Sequence, residues 1–194
     1  MGKLLVLVLA LALAAPAVAL AASVHVRVEG ETRTIFGPTE VAVVASTPLQ
    51  ALEQASILGE FYYHVALTPF GPYVDQIGRY GSSGSSGWVF KVNGVSPPVG
   101  ADKVQLANGD DVLWYYATFG ANGGPPTLVL TKTSARCYAA TGQDDTGAKT
   151  VPTGLVYHTD GRTIAAPAGH ICFAKVHGLV WATAPGAVRS NRLP

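Results

Sequence analysis

The sequence predicts an α+β domain, a mixed sheet with one covering helix, followed by a small all-β sandwich. Three observations carry this expectation. Period-two apolar runs flank one well-capped helix signal in the first half. A Gly/Pro-rich stretch at 122–126 reads as a linker. Beyond it the pattern changes to short strand-like runs, and both cysteines of the chain lie there.

Residues 1–21 read as a secretory signal peptide. Lys3 gives a short basic start, Leu4 to Ala15 is an unbroken apolar run, and Ala19-Leu20-Ala21 supplies an A-x-A cleavage pattern. A retained anchor helix is the competing reading, disfavoured by the short run and by Pro16. No later segment is apolar over a bilayer's thickness, so stable membrane insertion is not expected after leader removal.

The first domain is expected over 22–121. Val24, Val26 and Val28 alternate with His25, Arg27 and Glu29, the period of a half-buried strand. Glu31 to Ile35 and Glu40 to Val44 read as further strand, with a Gly37-Pro38 turn between them. Thr47 can cap a helix, Pro48 suits its first turn, and Gln50 can bond back. Leu49 and Leu52 share one face of that helix, which is expected to end before Gly59. Strand, strand, helix and strands is the order of a β-grasp, in which the helix covers one sheet face. Residues 61–80 carry six aromatics, broken by Pro69, Gly71 and Pro72 into strand and loop. Gly81 to Gly87, Gly-Ser-Ser-Gly-Ser-Ser-Gly, reads as a native flexible loop.

The most specific stretch is 87–116. Gly-Trp-Val-Phe-Lys-Val precedes Asn93-Gly94, and Asn108-Gly109 precedes Asp-Asp-Val-Leu-Trp-Tyr-Tyr. Both Asn-Gly pairs tolerate positive φ and mark tight turns. Over about residues 24–117 this pattern resembles the C-terminal domain of transcobalamin and intrinsic factor, and the bacterial secreted family called domain of unknown function 4430. The resemblance implies a β-grasp that binds or adheres without catalysis. In transcobalamin-type proteins the matching domain covers one corrinoid face while a larger helical domain covers the other, and no such helical domain is legible in this chain.

Residues 127–194 are expected to form a small β-sandwich, from runs at 128–130, 138–140, 154–157, 171–176 and 179–182. Their tail, 182–190, weakly resembles an Ig-like or carboxypeptidase-regulatory-like module. Cys137 and Cys172, an even pair in an exported chain, invite a disulfide. The loop it closes gives roughly 3.5 to 4 kcal/mol in the chain-entropy model. With 122–126 as a spacer, the two cores are expected to be separate.

The formal net charge of +1 argues against a nucleic-acid partner. The charge is uneven, however: 23–126 holds 5 basic and 9 acidic residues, and 127–194 holds 7 and 3, net −4 against +4. Chance surface charge fits this first; mutual attraction of the two halves, or a basic C-terminal half leaning on an anionic cell envelope, are the sharper readings. The five histidines show no metal-ligand spacing, and neither Asp110-Asp111 nor Asp144-Asp145 opens a calcium loop. No metal, cofactor or catalytic motif emerges. The aromatics remain: Trp88, Trp114 and Tyr116 on the two strands, with Tyr62, Tyr63, Tyr73 and Tyr80 in the preceding segment, are the ligand-binding candidates. Trp88 and Trp114 read first as core. Tyr73 and Tyr80, beside an exposed aromatic of the 112–116 strand, are the expected binding group. The expected function is that of a secreted, non-enzymatic binding or adhesion protein of the bacterial surface or exterior. Its partner would be a small ligand, a glycan or a protein. Corrinoid binding, with cobalamin as the ligand, and an enzyme with an unrecognised site are the alternatives.

Overall fold

The computed structural model describes residues 21–121, 123–166 and 169–194. The expected leader lies outside these except for Ala21, as does Asn122 of the expected linker.

Fourteen strands and one helix are present among the described residues. Strand β1 (Ala22–Glu29) pairs antiparallel with β2 (Thr34–Ala45) and parallel with β7 (Asp111–Thr118), which pairs antiparallel with β6 (Ser86–Val92). The order β2-β1-β7-β6 is thus a mixed sheet with a parallel central pair. Helix α1 (Pro48–Gly59) covers one face with Ala51, Leu52 and Ala55. Strands β3 (Tyr63–Thr68), β4 (Gly71–Ile77) and β5 (Tyr80–Gly81) form a small separate sheet. It packs Val74 and Ile77 into the same core. This is the expected α+β architecture.

The helix start follows the sequence closely. The Thr47 side chain accepts from Gln50 N at 3.2 Å, and Gln50 Oε1 accepts from Ser46 N at 3.0 Å. Gln50 therefore reaches one residue further back than a standard capping box requires. Thr47→Ala should cost about 1 kcal/mol in a denaturant midpoint comparison, because one helix N–H loses its acceptor. The helix end differs from expectation. Gly59 is still helical, and Glu60 takes the left-handed cap conformation at φ 49°. Gly59 is held by close packing, since a Cβ there would lie 2.6 Å from the Phe36 ring.

Two turns also differ. Gly37-Pro38 does not separate two strands: β2 is one strand that bulges there, its register jumping from Val26↔Val41 to Val28↔Phe36. Partners on both sides of the bulge keep the strand continuous, which a local Gly-Pro signal cannot reveal. The 81–87 stretch is a tight hairpin, with Ser83 and Ser86 exchanging backbone bonds at 2.9 Å.

The second unit has one sheet of β8 (Thr127–Ser134), β9 (Cys137–Gln143), β10 (Lys149–Thr150) and β13 (His170–Cys172). Its other sheet has β11 (Val156–Thr159), β12 (Arg162–Ala165) and β14 (Trp181–Thr183). Leu128, Leu130, Tyr138, Tyr157 and Val180 fill the core between them. Cys137 and Cys172 sit opposite each other on β9 and β13, joined by a disulfide.

The two cores are not independent. On the sheet face away from α1, Tyr115 and Ala117 pack with Val188 of the second unit. Lys91, fully buried, donates to Gln143 O at 3.0 Å, Asp144 O at 2.7 Å and Thr127 Oγ1 at 3.2 Å. Glu29, also fully buried, accepts from Arg189 Nη2 at 2.9 Å and from Thr34 Oγ1 at 3.0 Å. The opposite-charge halves therefore meet in at least one buried ion pair, and the spacer at 122–126 joins packed units.

Candidate functional site

An apolar cleft of about 350 Å³ lies along β6, the edge strand of the mixed sheet. Each wall comes from a different element. Strand β4 contributes Pro72, Tyr73 and Val74, and β6 contributes Trp88, Val89 and Phe90. Trp114 and Tyr115 of β7 and Leu49 of α1 form the floor. The segment after the Asn93-Gly94 turn adds Ser96, Pro97, Gly100 and Ala101, and Phe119 flanks the opening. Residues of both sheet faces meet here because β6 is an edge: its side chains alternate, and among the described residues no further strand of the sheet hydrogen-bonds to its outer side.

The aromatic floor is rigid. Trp88 Nε1 donates to Tyr80 O at 2.7 Å, and Trp114 Nε1 donates to Pro48 O at 3.1 Å. Trp88 packs edge-on to Tyr116, with centroids 5.6 Å apart, and Phe90 tilts on Trp114 at 5.2 Å. Such pairs fix ring positions beyond what area burial alone does. Tyr73 is different: 39% exposed, it stands at the mouth with its hydroxyl 3.0 Å from Ser82 Oγ.

One end of the cleft is polar. Asp145 of the second unit accepts through Oδ1 from Ser96 Oγ at 3.0 Å and from Tyr115 Oη at 3.4 Å. Lys91 Nζ lies 3.8 Å from the same oxygen. Burial, reinforced by the Asp145 charge, holds the Tyr115 phenol well above its ordinary range. Burial pushes Lys91 down, opposed by Asp145 and Asp144. Tyr115 is thus a fixed neutral donor. Toward Pro97 and Pro98 the cleft opens into a broad groove, where Phe70 stands fully exposed at the β3–β4 tip.

The expected aromatics divide. Tyr73, Trp88 and Trp114 line the cleft, the two tryptophans as core residues that show one side to it. Tyr80 does not face a ligand: it is 8% exposed, wedged against Trp88 and Tyr116, with its hydroxyl 2.8 Å from Thr32 Oγ1. The β5 pairing that orders the Gly/Ser hairpin turns Tyr80 inward. Tyr116 is half-buried, with its hydroxyl donating to Gly81 O at 2.9 Å. Tyr62 is exposed and Tyr63 half-buried, and neither lines the cleft. The sheet face away from α1 is covered by Val188 and its neighbours.

Ser96, Pro97 and Phe119 were not singled out by the sequence, and Asp145 was weighed only as part of a calcium loop. Ser96-Pro97-Pro98 stands inside the aromatic motif. Asp145 carries no local signal, since its approach to Ser96 spans 49 residues. As for metals, Cys137, His170 and Cys172 offer ligand atoms within 4.8 Å of one another, but the two sulfurs are bonded to each other.

No curated protein matches this chain. Among solved structures, the chain is similar to a candidate metal-binding protein from Ruminococcus gnavus, at 13% identity and a TM-score of 0.37. The match covers 49% of this chain and 95% of that one. At that score the likeness says nothing of this chain's ligand. The aromatic motif and the helix before it are matched by a family model: residues 46–118, which include most of the cleft's walls, are similar to the family described as Domain of unknown function (DUF4430).

Proposed function

We propose that this chain is a secreted, non-enzymatic binding protein of the bacterial surface or exterior, which holds a small, largely apolar, flat ligand in the β6 cleft. The observation that carries this reading is the cleft itself. Its volume of about 350 Å³ falls in the range of small-molecule sites. Its walls are rigid aromatic and proline side chains, and its few polar groups gather at the Ser96–Asp145–Tyr115 end. Such a division orients a ligand: the flat apolar body lies against Phe90 and Phe119, and a hydrogen-bonding end meets Asp145. Export is supported by the leader-like first residues and by the disulfide.

A thermal-shift screen of flat aromatic and macrocyclic compounds, with cobalamin as one arm, tests the reading. A corrinoid would have to lie across the groove at Pro97-Pro98, with only an edge in the cleft. For any compound that binds, Tyr73→Ala and Phe119→Ala are each expected to weaken affinity about tenfold or more with little change in melting temperature, since both side chains are well exposed. Equal affinity in both folded variants would exclude the cleft as the site.

A further inference from the structure

A second cavity, of about 240 Å³, lies between the two units and shares no lining residue with the apolar cleft. Its lining is mixed, with Arg27, Glu40 and Asp111 beside Val112 and Val129, and it is built around a bulge. Glu40 ends the Gly37–Glu40 bulge of β2 with φ 60°, in the left-handed region that non-glycine residues rarely occupy. Bulges re-aim side chains, and residues held in such backbone conformations cluster at ligand sites. Here the bulge sets Glu40 Oε1 4.0 Å from Arg27 Nε.

Arg27 is 4% exposed. Its Nη1 donates to Arg189 O at 2.8 Å and approaches Glu29 Oε1 at 3.4 Å, but among the described residues its Nε has no hydrogen-bond partner. A buried N–H left without an acceptor is expensive, so an acceptor belongs in this space. On the other side, burial raises the Glu40 carboxyl above its ordinary range, against the lowering effect of Arg27. Asn191 Nδ2 donates to Glu40 only at 3.4 Å. Asp111 adds a second carboxylate to the lining, close to His25 at 3.1 Å. Gln143 brings a side-chain amide from the second unit.

We infer that this cavity is a binding site for a small neutral polyol, of the size of one sugar ring. The guest must donate to Glu40 and, as the Glu40 side chain shifts, accept from Arg27 Nε, which is itself closed to solvent. A hydroxyl group does both. An anion meets two carboxylates and a guanidinium already paired with Glu29. A cation leaves the Arg27 N–H unsatisfied. The volume is far larger than the ~30 Å³ that one bridging water occupies in the liquid.

The test uses the full exported chain labelled with nitrogen-15 and follows the Arg27 Nε–Hε resonance. D-glucose, N-acetyl-D-glucosamine and myo-inositol are titrated at millimolar concentrations, with acetate and methylammonium as charged controls. The expected result is a saturable shift of that resonance with at least one polyol and none with either control. Gln143→Ala, which leaves the Arg27, Glu29 and Arg189 side chains in place, should then weaken the response about tenfold. A resonance unmoved by all three polyols, or moved by acetate instead, overturns the assignment. So does a crystal soaked in the same polyols that shows only ordered water between Arg27 Nε and Glu40.

Discussion

Replacing Glu29 by Ala is expected to lower the unfolding free energy by about 3–5 kcal/mol, the cost of removing one partner from a buried ion pair. Glu29 is wholly buried, and its carboxylate is the group on which Arg189 Nε and Nη2 converge, at 3.0 and 2.9 Å. Removing it leaves two guanidinium groups facing each other across the seam, with Arg27 itself 4% exposed. Arg189→Ala should destabilise too, but less, because Arg189 is partly exposed and Arg27 still faces Glu29. Guanidinium-chloride titrations of the two single variants and the double variant measure the coupling. A loss below about 1 kcal/mol for Glu29→Ala would put this pair among ordinary surface salt bridges.

Replacing both Cys137 and Cys172 by Ala should cost about 3.5–4 kcal/mol, because the bridge closes a loop between residues 35 apart. The seam changes where this loss is felt. The packing of Tyr115 and Ala117 on Val188, and the three bonds of Lys91 to the second unit, couple the cores. The first unit is therefore expected to lose stability with the second, in one cooperative transition. Trp88 and Trp114 report the first unit, and Trp181 reports the second. Coincident fluorescence transitions of single-tryptophan variants support the coupling. A first-unit signal that stays native through the second unit's transition argues against it.

Much of the first unit was legible in the residues because its signals are local. Alternating valines in β1, the Thr47-Pro48 helix start and the paired Asn-Gly turns act over a few residues, and the structure keeps them, except that β1 is not half-buried throughout: Arg27 and Glu29, expected to face outward, are buried against the second unit. Cys137 and Cys172 were legible for a different reason: two cysteines permit only one pairing within the chain. The sequence also marked the aromatic strands as the place of interest, and Tyr73, Trp88 and Trp114 do line the cleft.

What only tertiary structure decided depends on contacts between distant residues. Whether Gly37-Pro38 turns the chain or bulges it depends on the partners that β1 offers on either side. Tyr80 is buried and Tyr73 exposed, although both are tyrosines in the same Gly-rich segment, because β5 pairing points one ring at Trp88 and leaves the other at the sheet edge. Asp145 reaches the cleft, and Arg189 reaches Glu29, across 49 and 160 residues respectively. The halves' opposite charges made attraction conceivable, but charge totals cannot say which carboxylate is buried. That was fixed by the seam, where close packing excludes water and every buried charge must find its partner within the protein.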